Sequence, residues 1–65
     1  MNYNLKKEYL KLVNKKVDIR TTTDKTYLNV IVDEIDIKRG LIFINNHVEI
    51  ILLNLNNINC IRARN

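Results

Sequence analysis

The chain of 65 residues has no proline, no tryptophan, a single glycine and a single cysteine. One cysteine cannot make an internal disulfide, and Cys60 with His47 supplies too few soft ligands for a zinc site. No stretch approaches the about eighteen consecutive apolar residues of a membrane-spanning helix. The Lys-rich start is not followed by the apolar segment of a secretory signal. A lone thiol without that signal points to a reducing, cytoplasmic setting. Lacking repeats and any Pro- or Gly-rich linker, residues 1–65 read as one domain. A domain this small buries only about 60% of the surface its unfolded chain exposes. With no disulfide or metal to stabilise it, oligomerisation is the remaining device.

Catalytic constellations are missing too. No nucleophile–base pair, phosphate-cradling glycine loop or metal-ligand spacing is visible. Asp33, Glu34 and Asp36 lie close in sequence, but consecutive strand residues point to opposite faces, so Asp33 and Glu34 cannot act together. They read as solvated charges guarding a strand. His47 falls at an expected hairpin tip. Cys60 has no activating neighbour in sequence and reads as a small packed hydrophobe. The expectation is a non-enzyme without a cofactor.

What the chain does have is a change of hydrophobic period. Asn4 can cap a helix, and Leu5, Tyr9, Leu12 and Val13 form one apolar stripe at i, i+4, i+7 and i+8, predicting a short amphipathic helix over residues 5–13. Lys6, Lys7, Glu8 and Lys11 occupy its other face. From Lys16 the period becomes two. Val17, Ile19 and Thr21 alternate with Asp18, Arg20 and Thr22 in a half-buried strand. Thr23, Asp24 and Lys25 are turn material. The next strand starts at Thr26, with Tyr27, Leu28, Val30 and Val32 on one face and Asn29 and Ile31 on the other. At Asp33 and Glu34 the parity slips, because Ile35 and Ile37 resume the apolar series on odd numbers. An extra residue in one strand is what a bulge or sharp bend supplies.

Lys38, Arg39 and Gly40 form the next turn, with the only glycine where a positive φ is needed. A continuous apolar strand follows from Leu41 to Ile44. Asn45 and Asn46 read as a tight hairpin turn. Another strand runs from Val48 to Leu53, Leu55 to Asn57 interrupt it, and Ile58 to Ala63 form the last. Five bent antiparallel strands behind a helix predict a mainly β fold, with residues 16–64 closing into a small SH3-like barrel. An open sheet is the alternative, but it would leave apolar edges such as Ile50 to Leu53 unprotected.

This order resembles the Sm/LSm-like (Hfq-like) family of small SH3-like barrels, which includes bacterial RNA chaperones. Val30, Val32, Ile35 and Asp36 stand at the spacings of its first motif, where an Asp follows a bent apolar strand. Where the family continues with Met-Asn, this chain has Arg39-Gly40. Leu53, Asn57, Ile58 and Ile61 fit the second motif, with Asn54 and Leu55 in place of its Arg-Gly pair. The resemblance implies the barrel fold and an RNA-binding ring. The departures fall on positions that hold RNA bases in the family.

Charge is uneven within a formal total of +4. Residues 1–20 hold six Lys/Arg and two acids, residues 21–37 one Lys and four acids, and residues 38–65 four Lys/Arg and one Glu. A basic domain favours a polyanionic partner. The candidate nucleic-acid surface comprises Lys6, Lys7, Lys11, Lys15, Lys16, Lys38, Arg39, Asn54, Arg62 and Arg64. Tyr27 is either a base-stacking ring or a framework residue. The alternative is an assembly or regulatory module working through protein contacts alone. Under either reading, the strand from Glu49 to Leu53 can pair with a neighbour's strand from Ile58 to Arg62 in a homo-oligomer.

Overall fold

The computed structural model describes residues 8–64. Strands β1 (Lys16–Thr21), β2 (Thr26–Asp36), β3 (Leu41–Asn45), β4 (Ile50–Asn54) and β5 (Ile58–Ala63) form one antiparallel sheet. Its order is β4-β3-β2-β1-β5. The first four strands make a meander. The fifth does not pair with β4, its neighbour in sequence; a 3-10 turn at Leu55–Asn57 carries the chain across to β1. β4 and β5 thereby become the two ends of the sheet.

Three irregularities bend the sheet. In β2, Val32 faces Ile44 and Glu34 faces Phe43, so Asp33 is the extra residue. This is the parity slip seen in the sequence. Earlier in β2, Val30 faces Val17 and Tyr27 faces Ile19, leaving Leu28 and Asn29 opposite Asp18 alone. Asn29 takes a φ of 55°, a left-handed conformation that its short polar side chain tolerates. In β5, Cys60 faces Arg20 and Ile58 faces Thr21, making Asn59 the extra residue.

Those two further bulges overturn two expectations. Leu28 is turned out of the core and is 63% exposed. Cys60 is an exposed free thiol rather than a packed hydrophobe. In each case the inserted residue shifts the strand's alternation, so the neighbouring side chain faces outward.

The core consists of Val17, Ile19, Val30, Val32, Ile35, Ile42, Ile44 and Leu55, all buried. Seven of the eight come from β1, β2 and β3, and Leu55 adds a plug from the 3-10 turn. β-Branched side chains dominate because they pack well on a pleated surface. Thr21 is the one buried polar residue among those described. Its Oγ1 accepts from Lys25 N–H and donates to Lys25 C=O, each at 3.1 Å, which holds the β1–β2 turn.

Part of the predicted helix lies outside the described residues, Asn4 to Lys7 included. Residues 8–10 are helical and residues 11–14 continue as turns. Hydrogen bonds from Leu12 N–H to Tyr9 C=O and from Lys15 N–H to Leu12 C=O are the tight i to i+3 kind. Asn14, at φ 69°, ends this segment, and its N–H donates to Val32 C=O at 2.7 Å. The segment is thus fastened to the middle of β2 instead of extending as a regular helix. Tyr9, Leu12 and Val13 still pack against the core, as the stripe predicts.

Gly40 has φ 69°, as the turn at Lys38 to Gly40 requires. The β3–β4 hairpin is longer than the expected Asn-Asn turn. Asn46 Oδ1 accepts from both Val48 and Glu49 N–H, and His47, not an asparagine, takes the left-handed conformation. This loop shortens the expected strand, so β4 begins at Ile50, and Val48 is exposed. No helix among the described residues is long and apolar enough to cross a membrane.

Candidate nucleic-acid interface

Two separate regions collect the described basic candidates. The first joins two turns that are distant in sequence. Leu41 pairs with Asn54 at the ends of β3 and β4, which brings the β2–β3 turn beside the 3-10 turn. Leu55 N–H then donates to Gly40 C=O at 2.7 Å. Lys38 and Arg39 are thereby held next to Asn54. Asn54 Oδ1 caps the 3-10 turn by accepting from Asn56 N–H at 2.9 Å, so its amide NH₂ is free to face outward. Asp36 Oδ1 accepts from Arg39 N–H at 3.1 Å and shapes the turn. The Arg39 side chain is 80% exposed and lies 3.7 Å from Asp36 Oδ2. A contact so long and exposed holds the guanidinium weakly.

The second region lies on β1 and β5. Arg64 N–H donates to Lys16 C=O at 2.7 Å, which places Lys15, Lys16 and Arg64 at the start of β1. Arg62 pairs with Asp18 on the outward face. Asp18 Oδ1 accepts from Arg64 Nε at 2.7 Å and from Asn29 N–H at 2.9 Å. These bonds, Arg64 first and Asn29 second, hold the Asp18 carboxyl below the usual carboxylate range, and the charges of Arg64 and Arg62 add to them. The Asn29 bond also fixes the bulge opposite Asp18.

The remaining candidates sit apart. Lys11 is paired with Glu8 at 3.0 Å on an exposed surface, while Lys6 and Lys7 lie outside the described residues. Tyr27 packs against the core opposite Ile19, with Lys25 Nζ over its ring at 5.5 Å from the centroid. That contact occupies one aromatic face by a cation–π attraction, and the position is that of a framework residue.

Sequence reasoning missed Arg20. It stands on the outward face of β1, opposite Cys60 on β5 and Thr26 on β2. Alternation along β1 already places it outward, but only the pairing of β1 with β5 brings it near Arg62. The outward face of β3 and β4 has a different character. Phe43 lies beside Leu52, and Ile50 and Leu52 are 63% and 54% exposed.

No known family model, curated protein or solved structure matches this chain.

Proposed function

We propose that this chain is a subunit of a small Sm-like barrel assembly that binds single-stranded nucleic acid. The observation that carries the reading is the 2.7 Å bond from Leu55 N–H to Gly40 C=O, which gathers Lys38, Arg39 and Asn54 at one end of the sheet. Cations held beside a side-chain amide combine phosphate attraction with hydrogen bonding to a base or sugar.

Assembly follows from the two sheet ends. An unpaired strand edge is a template for another chain, and antiparallel pairing of β4 with a neighbour's β5 satisfies both. Such pairing sets the start of β4 near the end of the neighbour's β5. Repetition around a closed ring multiplies each subunit's phosphate contacts, and the sheet continues from one subunit to the next.

Light scattering with absorbance at 260 nm, followed by anisotropy titrations of oligo-U, oligo-A and duplex DNA at two salt concentrations, tests this. The expected result is a closed oligomer that binds single strands more weakly as salt rises. Each phosphate contact contributes about −0.7 to the log-log salt slope. Absence of oligonucleotide binding at low salt overturns the nucleic-acid reading.

The exposed Ile50 and Leu52, beside the half-buried Phe43, favour a second reading, a module that works through protein contacts alone. Its signature is a defined oligomer without salt-sensitive nucleic-acid binding.

A further inference from the structure

The outward face of β2, β1 and β5 carries a half-open groove of about 280 Å³, with Asp18, Arg20, Thr26, Leu28, Cys60 and Arg62 among its lining. It is distinct from the Lys38–Arg39–Asn54 end of the sheet. The bulges create it. Asn29 and Asn59 reverse the parity of their strands, so Leu28, Cys60 and Arg62 face outward around Arg20.

Charge in this groove is unbalanced. Asp18 is the only acid among the residues that line it, and Arg64, from beyond the groove, already binds that carboxylate at 2.7 Å. Arg20 and Arg62 make no side-chain hydrogen bond or salt bridge to another described residue. Two guanidiniums thus face the groove with their donors unused, although Arg62 feels the charge of Asp18 at longer range. Arg20 faces Cys60 and Asp18 faces Arg62, so Arg20 and Arg62 are diagonal neighbours across the β1–β5 ladder. Such pairs are separated by about 7–8 Å, a gap that successive phosphates of an extended strand can bridge. Leu28 and the Cys60 side chain give a less polar floor on which a base or sugar can rest, and Thr26 adds a hydroxyl. Planar guanidiniums suit phosphate oxygens because two parallel N–H donors can engage one phosphate.

We infer that this groove is a second phosphate-backbone site for single-stranded nucleic acid, with Arg20 and Arg62 as its anion contacts. The inference rests on the nucleic-acid reading above and adds a site on another face. A single strand leaving one end of the sheet has a second basic surface to follow, and the two sites act through separate residues.

Cys60 is the only cysteine in the chain and is exposed in the groove, so its alkylation rate reports on this site alone. The experiment uses the full chain and measures alkylation of Cys60 by iodoacetamide with and without saturating oligo-U. Oligo-glutamate of matched charge is the comparison. Salt-dependent titrations are run in parallel on wild type, on Arg20→Gln with Arg62→Gln, and on Lys38→Gln with Arg39→Gln.

The expected result is several-fold slower alkylation with oligo-U, little change with oligo-glutamate, and protection retained when Lys38 and Arg39 are neutralised. Neutralising Arg20 and Arg62 is expected to reduce the magnitude of the salt slope by about 1.4, the share of two phosphates. Oligo-U binding that leaves Cys60 alkylation unchanged overturns the groove and leaves the function standing. Equal protection by oligo-glutamate overturns nucleic acid as its ligand. No oligo-U binding by the wild-type chain overturns both inferences together. If the double arginine variant loses its circular dichroism, Cys60 protection in the wild type decides the question.

Discussion

Asp18 and Arg64 stand 46 positions apart and meet at 2.7 Å, with Arg64 Nε donating to Asp18 Oδ1. The same oxygen accepts from Asn29 N–H, so one carboxylate ties the end of the described chain to β1 and fixes a bulge in β2. The partners of Asp18 lower its pKa from 3.8. A carboxyl whose folded pKa is lowered contributes stability that is fully present above the unfolded value and is lost as pH falls through the folded one. Urea unfolding followed downward from neutral pH is expected to show this loss beginning below about pH 4. Asp18→Asn removes that part of the acid limb. An unchanged acid limb in the variant would show that the contact is not coupled to folding.

The extra residue at Asp33 has a consequence that separates length from chemistry. Asp33 is exposed, so Asp33→Ala is expected to change stability by no more than about 0.5 kcal/mol. Deleting Asp33 is different. It removes the bulge and leaves Val32, Glu34 and Ile35 in plain alternation, so Ile35 keeps the core face but β2 loses its bend, and the deletion is expected to melt well below Asp33→Ala. Circular dichroism melts of the two variants check the contrast; a deletion that melts like wild type defeats it.

Ile42 lies in β3, between β2 and β4, and is fully buried, facing Ile35 on one side and Leu53 on the other. Ile42→Val is expected to cost about 0.5–1.5 kcal/mol and Ile42→Ala about 2–5 kcal/mol. A core of this size rarely supplies more than about 3–5 kcal/mol. The alanine variant is therefore expected to be largely unfolded at low protein concentration. Chemical denaturation at two concentrations measures both the cost and any rescue by assembly.

Gly40 permits a test of backbone conformation free of crowding. A Cβ built there meets nothing within 4 Å, while the φ of 69° is unfavourable for an L side chain. Gly40→Ala is expected to destabilise by about 1–2 kcal/mol, and Gly40→Asn by less, because asparagine tolerates this region. Since Gly40 C=O holds Leu55, a destabilised turn is also expected to weaken oligo-U binding by the Lys38 and Arg39 end. Equal melting of the alanine and asparagine variants would remove the conformational explanation.

Much of this protein follows from its sequence by local physics. The period-two alternation of Val17, Ile19 and Thr21, the turn at Gly40, the last strand from Ile58 to Ala63 and the slip at Asp33 were all legible, because each leaves its mark within a few residues. The bulges at Asn29 and Asn59 were not. Their neighbours Leu28 and Cys60 look apolar, so the parity change left no gap in the hydrophobic pattern. The regular helix expected up to Val13 yields after Leu10 to turns fastened by Asn14 to Val32, a contact between segments that helical periodicity cannot register. The same limit applies to the candidate sites. Basic side chains were visible one by one, but Arg20 joins Arg62 only through the β1–β5 ladder. Lys38 and Arg39 join Asn54 only through the contact between two turns. Local alternation and turn chemistry set the strands, while long-range hydrogen bonding chose their neighbours and thereby which charges share a face.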